Sequence, residues 1–369
     1  YNFLIEYLEG YLMGIFIDQT GYLPVSRKVA TTTFPCNFQL IDSTTQHAVY
    51  DGVSTDSGMD ESAGEQVYQL DFSKVNAPGR YYVLAGNGER SHTFVIGEHV
   101  YEQLQLDLMK CFYFQCCGCA LTSEYAGEYT HAACHTEDAV FLEDYMNQTP
   151  DPPHFDMTGG WHDAGDFGRY ISPAAVAVGH LLYAYELFPE SFQASLHIPE
   201  SGNLLPDILN ECLYELKWML KMQADNGGVY HKLTSFVHAD FLMPEEDKLP
   251  FLIYPVSTMA TADFAASMAL ASRVYAPFDK AFSTQALEAS RKAFAYMESH
   301  PYIGFHNPEG SNTGEYDDDC DIDERLWASA ELFRTDTAHR DTYLKAFEKY
   351  SSMTHPEVSK TDFGWTDVS

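Results

Sequence analysis

From Ile15 to about Ile96, apolar and polar residues alternate within short runs. The runs are Ile15-Phe16-Ile17, Lys28 to Thr32, Asn37 to Ile41, Val67 to Phe72, Gly79 to Leu84 and His92 to Ile96. They are rich in β-branched and aromatic residues, and turn-forming residues separate them. Short strands at this spacing predict a small β-sandwich over residues 13–97. The Cys-Trp-Cys pattern of antibody domains is missing, so only the architecture is implied. After His99 the apolar spacing becomes helical, in Tyr101 to Cys116, Pro173 to Leu187, Leu205 to Met222, Pro255 to Val274, Phe282 to Ser299, Arg325 to Leu332 and Thr342 to Tyr350. Helices in series, joined by long loops and without alternating strands, predict an all-α second domain over residues 98–369.

Composition narrows the function classes. The 369 residues carry a formal net charge of -33, which makes nucleic acid and anionic membrane poor partners. The charge either keeps the protein soluble or favours a cationic substrate. Residues 1–12 carry acids where a secretory signal needs a positive start, and Met13 suits a native start with an extension before it. No apolar run is long enough to span a bilayer. These features and the clustered cysteines give a cytoplasmic, reduced protein as the simpler expectation, with a secreted or periplasmic protein after signal removal as the alternative. No P-loop, dinucleotide fingerprint or Gly-x-Ser-x-Gly elbow is present, so no organic cofactor is expected.

The candidate chemistry centres on Gly159-Gly160-Trp161-His162-Asp163-Ala164-Gly165-Asp166-Phe167-Gly168-Arg169-Tyr170. Glycines let a loop turn tightly close to a ligand, and paired carboxylates suit general-base work on water. The alternative is that Asp166 caps the helix that follows. Upstream, Cys111, Cys116, Cys117 and Cys119 precede Cys134-His135, and His154 comes just before the glycines. Thiolates and imidazoles could hold tetrahedral zinc, or the cysteines could be buried free thiols; Cys116 and Cys119 leave the first ligand ambiguous. The acidic run Glu315 to Glu324 lacks EF-hand spacing and reads as a solvated loop with an Asp capping the next helix.

The Gly159–Tyr170 stretch resembles the signature of glycoside hydrolase family 9, the inverting cellulases. Further matches follow in the family's order: Glu124-Tyr-Ala-Gly with Ala133-Cys-His-Thr136, Gly227-Gly-Val-Tyr-His-Lys232, Met243-Pro-Glu-Glu-Asp-Lys248, Pro255-Val-Ser-Thr258 and Asp323-Glu-Arg-Leu-Trp327. The resemblance implies a multidomain chain, with an N-terminal immunoglobulin-like sandwich bracing an (α/α)6-barrel catalytic domain. A sugar-binding role for the sandwich is the lesser alternative. The resemblance also implies Asp166 as general base and Asp163 as its partner in holding the water. The leaving-group acid should be a Glu near the family's far C-terminus, and no such motif lies within these residues. The barrel is therefore expected to be incomplete here, and the native protein longer. The resemblance further implies structural zinc on Cys117, Cys134, His135 and His154, and calcium near Asp323, Glu324 and Asp367. Trp161, His162, Tyr230, His231 and Tyr254 are the expected sugar contacts. The expected reaction is cleavage of β-1,4-linked glucan, as in an endoglucanase. The alternatives are an exo-β-glucosaminidase acting on chitosan-type oligosaccharides and a non-catalytic sugar-binding fragment. Oligomeric state stays open.

Overall fold

The structure, a computed structural model, describes residues 14–353 and 368. Its N-terminal part contains strands β1 (Ile15–Phe16), β2 (Val29–Thr32), β3 (Asn37–Asp42), β4 (Ala48–Val53), β5 (Thr55–Asp60), β6 (Glu65–Asp71), β7 (Gly79–Ala85) and β8 (Phe94–Ile96). They form two antiparallel sheets ordered β1-β2-β6-β5 and β4-β3-β7-β8. Alternation decides what faces inward: Phe38 and Leu40 of β3 are buried while Asn37 and Gln39 are exposed. The core joins Tyr22, Leu70, Phe72, Tyr81, Val83, Phe94 and Ile96. Tyr22 packs edge-on against Phe72 and Phe94, and its hydroxyl donates to the Val29 carbonyl at 2.9 Å. Strands β4 and β5 were not expected from the sequence. Both are edge strands, almost wholly exposed, so no buried face imprints a period on them.

The contact pattern divides the chain into residues 1–108 and 109–369, a division inside helix α1 (Glu102–Phe114). The remaining long helices are α2 (Ile171–Leu187), α3 (Asp207–Lys221), α4 (Thr258–Tyr275), α5 (Lys280–Ser299), α6 (Ile322–Thr335) and α7 (Arg340–Ser351). Helix α2 packs on α4 and α4 on α6, while α3, α5 and α7 pack on α2, α4 and α6 respectively. This is an arc of inner helices, each backed by an outer one. The inner α4 is buried on nearly every side, and its run of alanines fits helices on several faces. The outer α5 buries one stripe, including Phe282, Ala286, Ala293 and Met297. Ser257 caps α4 by accepting from Ala260 N at 3.2 Å, and Asp279 caps α5 by accepting from Phe282 N at 2.9 Å. Among the described residues no helix is long and apolar enough to cross a membrane.

The loops are not strand-free, contrary to expectation. Short strands β9 (Val140–Phe141), β10 (Arg169–Tyr170), β12 (Lys232–Thr234) and β13 (Leu252–Ile253) form one small sheet. Strands β11 (Val229–Tyr230) and β14 (Val256–Ser257) form a second. They are too short to carry a readable period. Strand β10 runs directly into α2 and β14 into α4, so both sheets collect at the N-terminal ends of inner helices. The candidate chemistry lies there.

Candidate functional site

The Gly159–Tyr170 segment folds around its glycines. Gly160 has φ +80°, and a Cβ at this position would stand 2.7 Å from the Trp218 ring. Gly168 is confined from the other side: a Cβ there would meet the Asp166 carboxylate at 2.6 Å and the Tyr170 hydroxyl at 2.5 Å. Beneath the loop, Glu215 Oε2 accepts from Trp161 N at 2.5 Å, and Glu211 Oε1 accepts from Trp161 Nε1 at 2.9 Å. These acids stand one turn apart on the buried face of α3. Burial pushes the Glu211 carboxyl up to about 7 and the Glu215 carboxyl up to about 8. Arg169 is buried as well and donates to the carbonyls of Met157 (3.0 Å) and Gly159 (2.6 Å).

Asp166 is not a helix cap. Helix α2 begins at Ile171 without a side-chain cap, and Asp166 Oδ2 instead accepts from Gly168 N at 3.0 Å and Tyr170 Oη at 2.9 Å. Its side chain keeps 17% of its surface open, and His238 Nδ1 stands 4.0 Å from Oδ2. Asp163 donates its backbone N–H to the Gly168 carbonyl at 3.0 Å, and Oδ2 accepts the Tyr316 hydroxyl. Burial holds the Asp163 carboxyl above its ordinary value, the Tyr316 hydroxyl works against that shift, and the Asp166 carboxylate adds to it. The Tyr170 and Tyr316 rings meet edge-on at 4.7 Å. Gly314 N donates to the Tyr170 hydroxyl at 3.2 Å, tying the 307–316 loop to the aspartate loop. Lys232 anchors that loop, donating to Asn307 Oδ1 (2.6 Å), Thr313 Oγ1 (3.1 Å) and the Gly314 carbonyl (2.6 Å).

A donor set lies immediately before Asp163. Cys117, Cys134, His135 and His162 bring one ligand atom each to within 4.8 Å of one another, and Cys117, Cys134 and His162 are buried. Cys117 Sγ is 3.6 Å from His135 Nδ1, and Cys134 Sγ is 3.9 Å from His162 Nε2. Burial raises the Cys117 thiol, whereas the Cys117 S–H and the two imidazoles hold the Cys134 thiol far below its usual value. Burial also lowers His162, keeping its imidazole neutral. Two soft sulfurs and two imidazole nitrogens are the donors tetrahedral zinc takes. His135 Nε2 faces Asp247 Oδ2 at 3.2 Å, the outer carboxylate that orients a ligating imidazole. The expected fourth ligand, His154, is exposed and outside the set; His162, expected to touch sugar, stands in its place. The reason is local: Trp161 and His162 are consecutive, and the buried Trp161 turns its neighbour toward the thiols.

Other expected sugar contacts support the loops instead. Tyr254 is fully buried, with its hydroxyl 3.3 Å from both the Ser235 carbonyl and Ser311 Oγ. His231 is buried between Ser257 Oγ (2.9 Å) and the Glu315 carbonyl (2.8 Å), and it stacks on Phe305 at 4.0 Å. Trp161 lies against Phe112 at 4.8 Å with only 7% of its surface exposed. Tyr230 is half-buried beside Phe141. Trp161, His231 and Tyr254 are enclosed enough to leave little ring surface for a sugar, whereas Tyr230 is only partly buried.

The fold and the matched segments decide the family. A sequence model described as "Glycosyl hydrolase family 9" matches residues 101–369, and one described as "Cellulase N-terminal ig-like domain" matches residues 13–91. The chain belongs to glycosyl hydrolase family 9. The family 9 chain is 39% identical to a cellodextrinase of Butyrivibrio fibrisolvens, over 96% of this chain and 66% of that protein. It is 34% identical to endoglucanase D of Acetivibrio thermocellus, over 96% of this chain and 56% of that protein. Its fold matches a thermostable endoglucanase (D468A) from Alicyclobacillus acidocaldarius, with TM-score 0.86 and 34% identity over 96% of this chain and 64% of that one. The arc of helices is thus part of an (α/α)6 barrel preceded by an immunoglobulin-like domain. The chain spans less than two thirds of the length of these relatives.

Other side chains around the family 9 aspartates escaped sequence reasoning. Tyr170 closes the quoted signature, but its hydroxyl contact to Asp166 carries no spacing signal. Tyr316 lies inside the acidic run, where the surrounding charges suggested a solvated loop. Asp247 was visible only as one letter of Met243-Pro-Glu-Glu-Asp-Lys.

The expected calcium residues are also placed. Asp323 and Glu324 begin α6, and Asp367 lies outside the described residues, next to Val368, whose N–H donates to Asp323 Oδ2 at 2.9 Å. Both oxygens of Glu324 and both of the facing Asp263 are buried without hydrogen-bond partners. Burial and mutual repulsion hold both carboxyls well above their usual values. Such oxygens suit a hard cation.

Proposed function

We propose that the protein hydrolyses β-1,4-linked glucan with inversion, and that Asp166 is the general base. The observation that carries this reading is the setting of Asp166. Gly168 N and the Tyr170 hydroxyl fix one carboxylate oxygen, and the side chain stays partly open at the barrel end where the loops gather. An inverting enzyme needs a carboxylate that takes a proton from water as the water attacks the anomeric carbon. Asp163, held by Tyr316, is the second carboxylate beside that water. The acid that protonates the leaving oxygen is assigned to no residue of this chain. The matched relatives are a cellodextrinase and endoglucanases, and a structural neighbour was solved with a cellobiose-like isofagomine. These support a glucan substrate.

Cys117, Cys134, His135 and His162 would hold zinc, whose chemistry here is structural: it fixes the backbone just before Asp163. A neighbouring family 9 endoglucanase is described as a zinc-binding triple mutant, which supports this reading. Asp323 and Glu324, with Asp263 facing them, are the residues that would take calcium; Asp367, also expected there, lies outside the described residues.

The test is Asp166→Asn in the full-length protein, assayed on cello-oligosaccharides with proton NMR of the first product formed. The wild type should release the α-anomer, and the variant should lose at least about 100-fold in kcat while its thermal midpoint stays unchanged, as expected for removing a general base. Turnover within a few-fold of wild type would remove Asp166 from that role.

A further inference from the structure

Cys117 belongs to the zinc donor set, and that leaves Cys116 and Cys119, spaced as Cys-x-x-Cys, without a role. Gly118 lies between the two halves of this segment with φ +83°, and a Cβ there would meet Gly159 N at 2.9 Å. The resulting bend folds Cys119 back beneath Cys116. Cys119 Sγ reaches the Cys116 carbonyl at 4.0 Å, which sets the two cysteines against each other. Cys119 is half-buried and Cys116 fully buried, so one sulfur is open to a small reagent and the other waits behind it. Tyr214 closes the far side, donating its hydroxyl to the Cys117 carbonyl and hydrogen-bonding Cys119.

The pair is wired to the aspartate loop. The Cys116 thiol donates to Glu211 Oε1 at 3.2 Å, the same oxygen that holds Trp161 Nε1. Cys116 forms a β-bridge with Trp161, Cys117 N donates to the Gly160 carbonyl at 2.8 Å, and His162 N donates to the Gln115 carbonyl at 2.8 Å. Whatever happens to the Cys116 sulfur is felt by the backbone that carries Asp163.

We propose that Cys116 and Cys119 are a peroxide-sensitive modification site that closes reversibly to an intrachain disulfide and loosens the hold of Glu211 on the Trp161 loop. In the first step the Cys119 sulfur attacks one oxygen of hydrogen peroxide. The O–O bond breaks, hydroxide leaves and takes up the thiol proton as water, and Cys119 becomes a sulfenic acid. In the second, the Cys116 sulfur attacks the Cys119 sulfur. The S–S bond forms, the S–O bond breaks, and the departing hydroxide takes the Cys116 proton as a second water. Two thiols lose two electrons to one peroxide, and a dithiol reductant reverses the change. Once oxidised, Cys116 has no proton to give Glu211.

The test uses the full-length, zinc-loaded protein treated with one equivalent of hydrogen peroxide and digested without reduction. The expected product is a peptide carrying the Cys116–Cys119 crosslink, lighter by about 2 Da than its reduced form, with zinc content unchanged. Its hydrolytic activity should fall at least several-fold and return with dithiothreitol. Cys119→Ser should keep the basal activity and lose the peroxide response. Cys116→Ser, whose hydroxyl can still donate to Glu211, should stop at a dimedone-reactive sulfenic acid on Cys119. Peptide mapping of the wild type needs no variant to fold. Two outcomes overturn the proposal: zinc release with a Cys117–Cys134 crosslink as the first product, or both Cys116 and Cys119 still alkylatable after treatment.

Discussion

Tyr316 donates its hydroxyl to Asp163 from a loop that reaches the aspartates across the barrel end. The contact fixes the orientation of a carboxyl whose burial would otherwise favour its neutral form. A hydrogen bond to a charged group contributes about 1.5–3 kcal/mol. Tyr316→Phe should therefore lower kcat on cello-oligosaccharides by roughly 10- to 100-fold, with little change in KM. Steady-state kinetics beside a melting curve checks this, and an unaltered kcat would show that the orientation of Asp163 is set by something else.

Glu211 and Glu215 give folding stability a definite pH slope. Their folded pKa values, about 7 and about 8, lie above the ordinary glutamate value of 4.5. Between 4.5 and those values the folded state binds more protons than the unfolded state, so stability should fall as pH rises through that window. Each group contributes at most about 1.4 kcal/mol per pH unit. In denaturant titrations from pH 5 to 8, Glu215→Gln should flatten the slope while keeping an acceptor for Trp161 N. Glu215→Ala should cost roughly 1–3 kcal/mol at every pH, because it strands that N–H. A variant slope as steep as that of the wild type would count against the assignment.

Metal removal separates His162 from His154. Chelation should lower the thermal midpoint, since a ligand held only by the folded state stabilises it by mass action. Cobalt loaded in place of zinc should show the intense bands of a tetrahedral thiolate site. His162→Ala should abolish those bands and His154→Ala should leave them intact; the reverse pattern would return the fourth ligand to His154.

Gly160→Ala tests the loop's backbone. A methyl group there faces both a positive φ and the Trp218 ring at 2.7 Å. The expected loss is about 2 kcal/mol or more, with kcat reduced because the aspartates follow in the same loop. Calorimetry and kinetics on one preparation measure both effects, and a neutral outcome would mean that the Trp218 side yields freely.

Much of the molecule could be read in advance where burial repeats with a period. The sandwich strands with inward-facing Phe38, Leu40, Leu70 and Phe94 announced themselves, as did every long helix of the described residues. Strands β4 and β5 did not, because edges bury too little to leave a pattern. The two aspartates and three of the four residues of the candidate donor set were legible, Cys134 and His135 as motif letters and Cys117 by its place before them. His162, an expected sugar contact, lies instead with Cys117, Cys134 and His135, a direction that its letter in the motif does not carry. Trp161, His231 and Tyr254, expected to contact sugar, are buried among the loops, because aromatic residues in a loop-rich region also serve as its core. Contacts such as Tyr316 to Asp163 or Asp247 to His135 join distant segments, and only the folded backbone brings them together.

The Tyr170 hydroxyl has two duties, receiving the Gly314 amide and giving its proton to Asp166. Bonds linked in series polarise one another, so losing the first weakens the second. The placement of the proposed base is thereby set partly by where a glycine in another loop lies. A sugar chain that shifts this glycine on docking would re-aim the carboxylate as it arrives, before any water is activated.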